Sequence, residues 1–93
     1  HQKSILPSAI TLNAYPNPFN PVTTLSFHMP EDGIIELSIY NLAGQKVTML
    51  DHSYASSGTY EITWNATEYP SGVYFARLKV NEKSHIQKLI LMK

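Results

Sequence analysis

No cysteine occurs in this 93-residue chain, which excludes a disulfide framework and thiolate metal sites. Neither sign of charge dominates: seven basic side chains balance seven acidic ones, and the formal net charge is zero. Nucleic-acid binding therefore has no electrostatic footprint, and no lysine cluster is present to hold an anionic membrane surface. Glycine occurs only four times, too sparsely for a phosphate-cradling loop. No apolar run approaches the length of a membrane span, so direct membrane insertion is not expected.

What is present suffices for one domain. A chain of this length buries roughly 60–65% of the surface its unfolded form exposes. The hydrophobic fraction of 43% is ordinary for a globular protein. The chain begins at His1 without an initiator methionine, and reads as a fragment of something longer. Residues 1–11, polar or small with Pro7 among them, read as a linker from an upstream domain, and residues 12–93 as the folded unit.

Proline carries the most local information. The run Tyr15-Pro16-Asn17-Pro18-Phe19-Asn20-Pro21 fixes three φ angles and removes three backbone donors. Each proline also biases the residue before it toward extended or turn geometry, so neither a helix nor a central strand passes here. Tyr15 and Phe19 read as aromatic anchors of a stiff corner, and Tyr15, Pro16, Asn17, Pro18 and Phe19 as structural residues.

Beyond this run the pattern has period two, broken by turn signals every eight to twelve residues. Residues 12–15 and 24–29 read as the first two strands, with Leu25, Phe27 and Met29 on one face. Pro30-Glu31-Asp32-Gly33 suits a turn. Residues 34–40 form a third strand with Ile35, Leu37 and Ile39 inward and Glu36 and Ser38 outward. Asn41-Leu42-Ala43-Gly44 fits a type I turn closed by a left-handed glycine, and residues 46–50 return as a fourth strand. Tyr60, Ile62 and Trp64 line one face of a fifth, with Trp64 expected at the centre of the core. Tyr69-Pro70-Ser71-Gly72 suits a turn with proline second. Residues 73–80 and 86–92 read as the sixth and seventh strands, joined across residues 81–84. Seven short strands without a helical period argue an all-β, seven-stranded antiparallel sandwich of immunoglobulin-like type. Leu89, Ile90, Leu91 and Met92 make the last strand apolar on both faces, so a neighbour or a partner must cover the second.

Chemistry is sparse. His1, His28, His52 and His85 are scattered without the spacing of a metal cluster, so neither metal nor cofactor is expected. Asp51-His52-Ser53 contains triad residue types, but neighbours on a strand point to opposite faces. Asn65-Ala66-Thr67 matches a glycosylation acceptor, yet Asn also starts turns readily, and a strand-end turn is the favoured reading. Catalysis is not expected.

Five motifs in order carry a resemblance. The proline run followed by Thr23-Thr24-Leu25-Ser26-Phe27 resembles the opening of type IX secretion system C-terminal sorting domains. So do Ile39-Tyr40-Asn41-Leu42-Ala43-Gly44-Gln45-Lys46-Val47, Trp64-Asn65, Ser71-Gly72-Val73-Tyr74-Phe75-Ala76-Arg77-Leu78, and the ending Gln87-Lys88-Leu89-Ile90-Leu91-Met92-Lys93. The sandwich is also similar to the immunoglobulin-like domain of flagellar hook-capping proteins. The resemblance implies a non-catalytic signal that directs an upstream cargo domain across the outer membrane to the cell surface or exterior. It implies the secretion machinery and a sortase-like peptidase as partners, with any cut near residues 1–11. Targeting information would concentrate in residues 72–93, where Gly72, Tyr74, Arg77, Lys88, Leu89, Leu91 and Lys93 are the candidate partner-binding residues. Gly44 and Trp64 are structural. The physical mechanism expected is strand pairing at an open edge of the terminal hairpin. A second reading remains open from the residues: an accessory carbohydrate-binding module using Tyr40, Tyr54 and Tyr69 as an aromatic platform, or a structural spacer module.

Overall fold

The computed structural model describes residues 10–93. The linker expected over residues 1–11 therefore lies, as far as residue 9, outside the described residues.

Seven strands follow one another: β1 (Thr11–Tyr15), β2 (Val22–Met29), β3 (Gly33–Asn41), β4 (Lys46–Ala55), β5 (Gly58–Asn65), β6 (Gly72–Val80) and β7 (Lys83–Leu91). They form two antiparallel sheets, ordered β1-β2-β5 and β4-β3-β6-β7. The all-β sandwich read from the alternation is the fold observed.

The period-two pattern positions the core directly. On β2, Thr23, Leu25, Phe27 and Met29 are buried; on β3, Ile35, Leu37 and Ile39; on β6, Tyr74, Ala76, Leu78 and Val80; on β7, Leu89 and Leu91. These faces meet between the sheets, where each buried aliphatic side chain stabilises the fold by roughly 1.5–3 kcal/mol. Trp64 of β5 is 3% exposed and stands at the centre of an aromatic cluster. Its ring centroid lies 5.6 Å from Phe19, 5.6 Å from Tyr69 and 5.5 Å from Tyr74. Tilted and edge-on contacts of this kind add about 0.5–1.5 kcal/mol each beyond area burial.

Turn chemistry closes the hairpins. Gly44 takes φ 86°, the left-handed conformation that a Cβ disfavours, while its N–H donates to the Asn41 carbonyl at 2.9 Å. The β6–β7 hairpin is tighter than expected. Val80 pairs with Lys83, so only Asn81 and Glu82 form the turn, with Asn81 at φ 55°. Asn tolerates that conformation better than most side chains, and β7 accordingly begins at Lys83 rather than at Ile86.

Two further expectations are corrected, and the burial of one outward residue is added. The fourth strand does not stop at Leu50 but runs to Ala55, because backbone pairing to β3 continues through the polar Asp51-His52-Ser53 stretch. Its register shifts twice, leaving Val47 and Leu50 as the extra residues. These β-bulges turn both apolar side chains against the core. Ser38, expected outward, is nonetheless 1% exposed. It does face outward, but Met49 and Arg77 stand beside it in register and cover it, and its hydroxyl donates to Glu36 at 3.4 Å. The hydrogen-bonded turn between β5 and β6 spans residues 66–69, with the Tyr69 N–H donating to the Ala66 carbonyl at 3.0 Å. It is not the Tyr69-Pro70-Ser71-Gly72 tetrapeptide, because the Asn65 side chain starts the turn earlier by accepting from the Thr67 N–H at 3.0 Å. That bond bears out the reading of Asn65-Ala66-Thr67 as a strand-end turn.

Trp64→Ala is expected to lower stability by about 3–5 kcal/mol through loss of the cluster's hub. A denaturant titration monitored by circular dichroism checks this, and an unchanged midpoint would contradict the packing described.

Candidate partner-binding site

The proline run does not merely turn a corner between β1 and β2. It lies along the outer edge of β7. Phe19 forms a parallel bridge with Leu91: its N–H donates to the Ile90 carbonyl at 2.9 Å, and its carbonyl accepts from the Met92 N–H at 2.9 Å. One step earlier, a side chain replaces the backbone. The Asn17 amide Nδ2 donates to the Lys88 carbonyl at 2.8 Å, and Asn17 Oδ1 accepts from the Ile90 N–H at 3.0 Å. A carboxamide has the donor and acceptor of a peptide group, so it substitutes for a strand residue there. The edge expected to be open on the terminal hairpin is therefore filled over residues 88–92. Toward residues 84–87, no strand pairs with β7 on that side among the described residues.

Two contacts hold the run in place from behind. Thr23, fully buried, donates its hydroxyl to the Pro16 carbonyl at 2.7 Å. The Ala66 N–H donates to the Pro21 carbonyl at 2.9 Å. Phe19 is 3% exposed and reaches Trp64, as an anchor should. Tyr15 does not anchor: it is 82% exposed. Strand alternation explains the difference, since Leu12 and Ala14 take the inward positions of β1 and leave Thr11, Asn13 and Tyr15 outward.

The seven candidate residues of the terminal hairpin divide by depth. Tyr74, Leu89 and Leu91 are core side chains, so they act on any partner through the fold. Gly72 opens β6 at φ 154° and pairs with Leu91. Arg77 lies on the outer face of the four-stranded sheet, where its guanidinium donates to Ser84 Oγ at 3.3 and 3.2 Å and to the Tyr40 hydroxyl at 3.4 Å. Lys88 is exposed on the same face opposite Phe75, and Ile86, 65% exposed, stands opposite Arg77. Lys93 ties the end of the chain back: its N–H donates to Ser71 Oγ at 3.0 Å and its ammonium to the Thr67 carbonyl. Of the seven, Arg77 and Lys88 remain accessible, on a face that also carries Lys79, Phe75 and Ile86.

The aromatic platform is not assembled. Tyr69 packs on Trp64. Tyr54 stands opposite Ile34, at the far end of β3 from Tyr40; six residues of strand, about 20 Å, separate those two positions. Nor do triad residue types converge: Ser53 donates to Asp51 at 3.4 Å, while His52, opposite Glu36, faces the other way. Among the described residues, no three His, Asp or Glu side chains could hold a metal ion.

Three groups show shifted acidity. Glu36 sits below the usual carboxylate range, chiefly because Lys46 donates to it at 3.0 Å. The Tyr54 hydroxyl is raised by the neighbouring Asp32 charge. The Tyr74 hydroxyl is raised by burial first and by Tyr69 second, and it donates to the Pro70 carbonyl at 2.7 Å. Each of the three shifts has a local cause in the packing and pairing of the sandwich.

The clamp on β7 was missed by sequence reasoning, although one signal existed. Flanked by Pro16 and Pro18, which have no N–H, Asn17 is the one residue of that tripeptide with an amide side chain to offer.

The family described as "Secretion system C-terminal sorting domain" matches residues 13–92. The crystal structure of dimeric latent PorU from Porphyromonas gingivalis contains a similar fold, with a TM-score of 0.68 and 22% identity, over 97% of this chain and 10% of that one. The chain thus spans about a tenth of the length of that protein. No curated protein matches the chain.

Tyr74 links acidity to stability. Its folded-state pKa lies above the unfolded value, so its contribution is complete below the ordinary tyrosine range near pH 10 and is lost as pH rises through the folded value. Tyr74→Phe is expected to flatten the loss of stability as pH rises above the ordinary tyrosine range near 10. Denaturant midpoints measured across that range check it; an unaltered slope would show that Tyr74 does not control the alkaline limb.

Proposed function

This chain belongs to the family of secretion-system C-terminal sorting domains, and from that membership we propose how it presents its signal. As a member, it directs an attached cargo through the type IX secretion system, across the outer membrane to the cell surface or exterior. Sorting domains of this kind are in general non-catalytic. The observation that carries the assignment is the extent of the match, residues 13–92, which takes in the whole sandwich rather than one motif.

The finer reading is a recognition role without catalysis. The secretion machinery meets the rigid terminal hairpin, β6 and β7, on its outer face. Arg77 and Lys88 supply charge there, while Phe75 and Ile86 supply apolar area. Tyr74, Leu89 and Leu91 hold that face in shape from within, and Gly72 and Lys93 fix its two ends. The residues ahead of the sandwich, 1–9, serve as the linker to the upstream cargo, and a sortase-like peptidase that removes the domain would cut there; Thr11, expected in the linker, is paired with His28 in β1. Support comes from rigidity: Arg77 is bonded to Ser84 and Tyr40, so its charge is presented in one place rather than on a free side chain, which lowers the ordering cost of binding.

The test fuses residues 1–93 behind a reporter in a strain carrying the type IX secretion system. The wild-type chain is expected to bring the reporter to the surface. Arg77→Ala combined with Lys88→Ala is expected to leave the fold intact and reduce export by about tenfold, the equivalent of about 1.4 kcal/mol of lost contact. Wild-type export of a folded double variant would move recognition away from this face.

A further inference from the structure

The motif at the start of the domain and the strand at its end are one structural unit. Four hydrogen bonds join them, two from the Asn17 carboxamide and two from the Phe19 backbone, and all four fall on the backbone of Lys88, Ile90 and Met92. The Phe19 pair is secured by burial of the ring against Trp64. The Asn17 pair has no such insurance, since Asn17 is only half-buried and its flanking Pro16 and Pro18 are exposed.

We propose that Asn17 is a positioning residue of the sorting signal: its carboxamide stands in for a strand residue, closes the β7 edge at residues 88–90, and so fixes the backbone on which Lys88 is presented. This rests on the reading that the outer face of the terminal hairpin is what the machinery meets. The physical argument has three parts. An edge strand whose N–H and C=O groups are unpaired frays or pairs with whatever strand arrives. The end of β7 is poor at resisting either, because residues 89–92 are Leu, Ile, Leu and Met without a charge or a proline. Asn17 satisfies two of those groups with a short side chain fixed between two rings that lock φ, so it acts as a preset clamp. Both of its hydrogen bonds fall on backbone atoms, so it acts through the β7 backbone.

Geometry sets the specificity of the clamp. The carboxamide must offer a donor to Lys88 and an acceptor to Ile90 at once. Glutamine carries the same chemistry one methylene further out and cannot place both. Aspartate keeps the acceptor for Ile90 but loses the donor, and sets an oxygen against the Lys88 carbonyl. Asn20, in the same motif and exposed, makes none of these four bonds.

The experiment compares export of the reporter fusion with amide hydrogen exchange on the same 93-residue chain, for wild type, Asn17→Ala, Asn17→Gln, Asn17→Asp and Asn20→Ala. Asn17→Ala and Asn17→Gln are expected to remain folded, to speed exchange of the Ile90 amide by at least about tenfold, and to lower export by a similar factor. Asn17→Asp should fall between, and Asn20→Ala should match wild type in both readouts. Wild-type export of Asn17→Ala with fast Ile90 exchange would overturn the proposal, as would lost export with Ile90 exchange unchanged. Global unfolding of Asn17→Ala would overturn it in favour of a purely stabilising role. A failure of the wild-type fusion to be exported would instead remove the sorting-face reading, and the exchange data would still decide whether Asn17 clamps β7.

Discussion

The rest of this structure depends on how the edge of its last strand is closed. A sandwich of two open sheets has four edge strands, and each exposed edge is a template for unwanted pairing. Here β7, which ends in the apolar run Leu89-Ile90-Leu91, is also an edge strand. Covering its inner face is ordinary packing, achieved by Leu89 and Leu91. Covering its edge needs hydrogen-bonding groups, and the proline run supplies them from the opposite end of the chain. The choice of proline is physically apt. Pro16, Pro18 and Pro21 have no N–H, so the run satisfies β7 without presenting a full new edge of its own. The sheet ends there.

That closure ties the aromatic core to the terminal hairpin. Phe19 bonds to β7 through its backbone and packs on Trp64 through its ring, while Trp64 touches Tyr74 of β6. Buried polar groups around this junction are paired: Thr23 with Pro16, Tyr74 with Pro70. No buried side-chain polar atom among the described residues lacks a partner, the condition under which a polar contact in a core stabilises rather than costs. The outer face of the terminal hairpin is therefore mounted on a body that has little freedom to rearrange.

Much of the fold was legible beforehand because alternation is a one-dimensional signal. Leu25, Phe27 and Met29, or Ile35, Leu37 and Ile39, announce their face without any knowledge of the partner strand. The Gly44 turn was legible for a similar local reason. The limits of β4 and β7 were not, since Asp51-His52-Ser53 and Lys83-Ser84-His85 are polar and are strands only because β3 and β6 pair with their backbones. Tyr15 was misread as an anchor because its aromatic character outweighed its parity: it stands one position on from the inward Ala14. Of the candidate site, Arg77 and Lys88 were singled out on the terminal hairpin, but Asn17 was not connected with Lys88, because nothing local records a contact between residues 71 positions apart.

The sequence by itself determined the class of fold, the inward face of each central strand, the stiffness of the proline corner and the family to which the motifs point. These follow from steric and periodic rules that act within a few residues. Only the tertiary structure decided where the corner goes, which of its two aromatics is buried, and that the first motif closes the edge of the last strand. Those are outcomes of sheet order, and sheet order brings together residues whose separation along the chain carries no local trace. The motif that best marks the family and the last strand of the fold are distant in sequence and hydrogen-bonded in space.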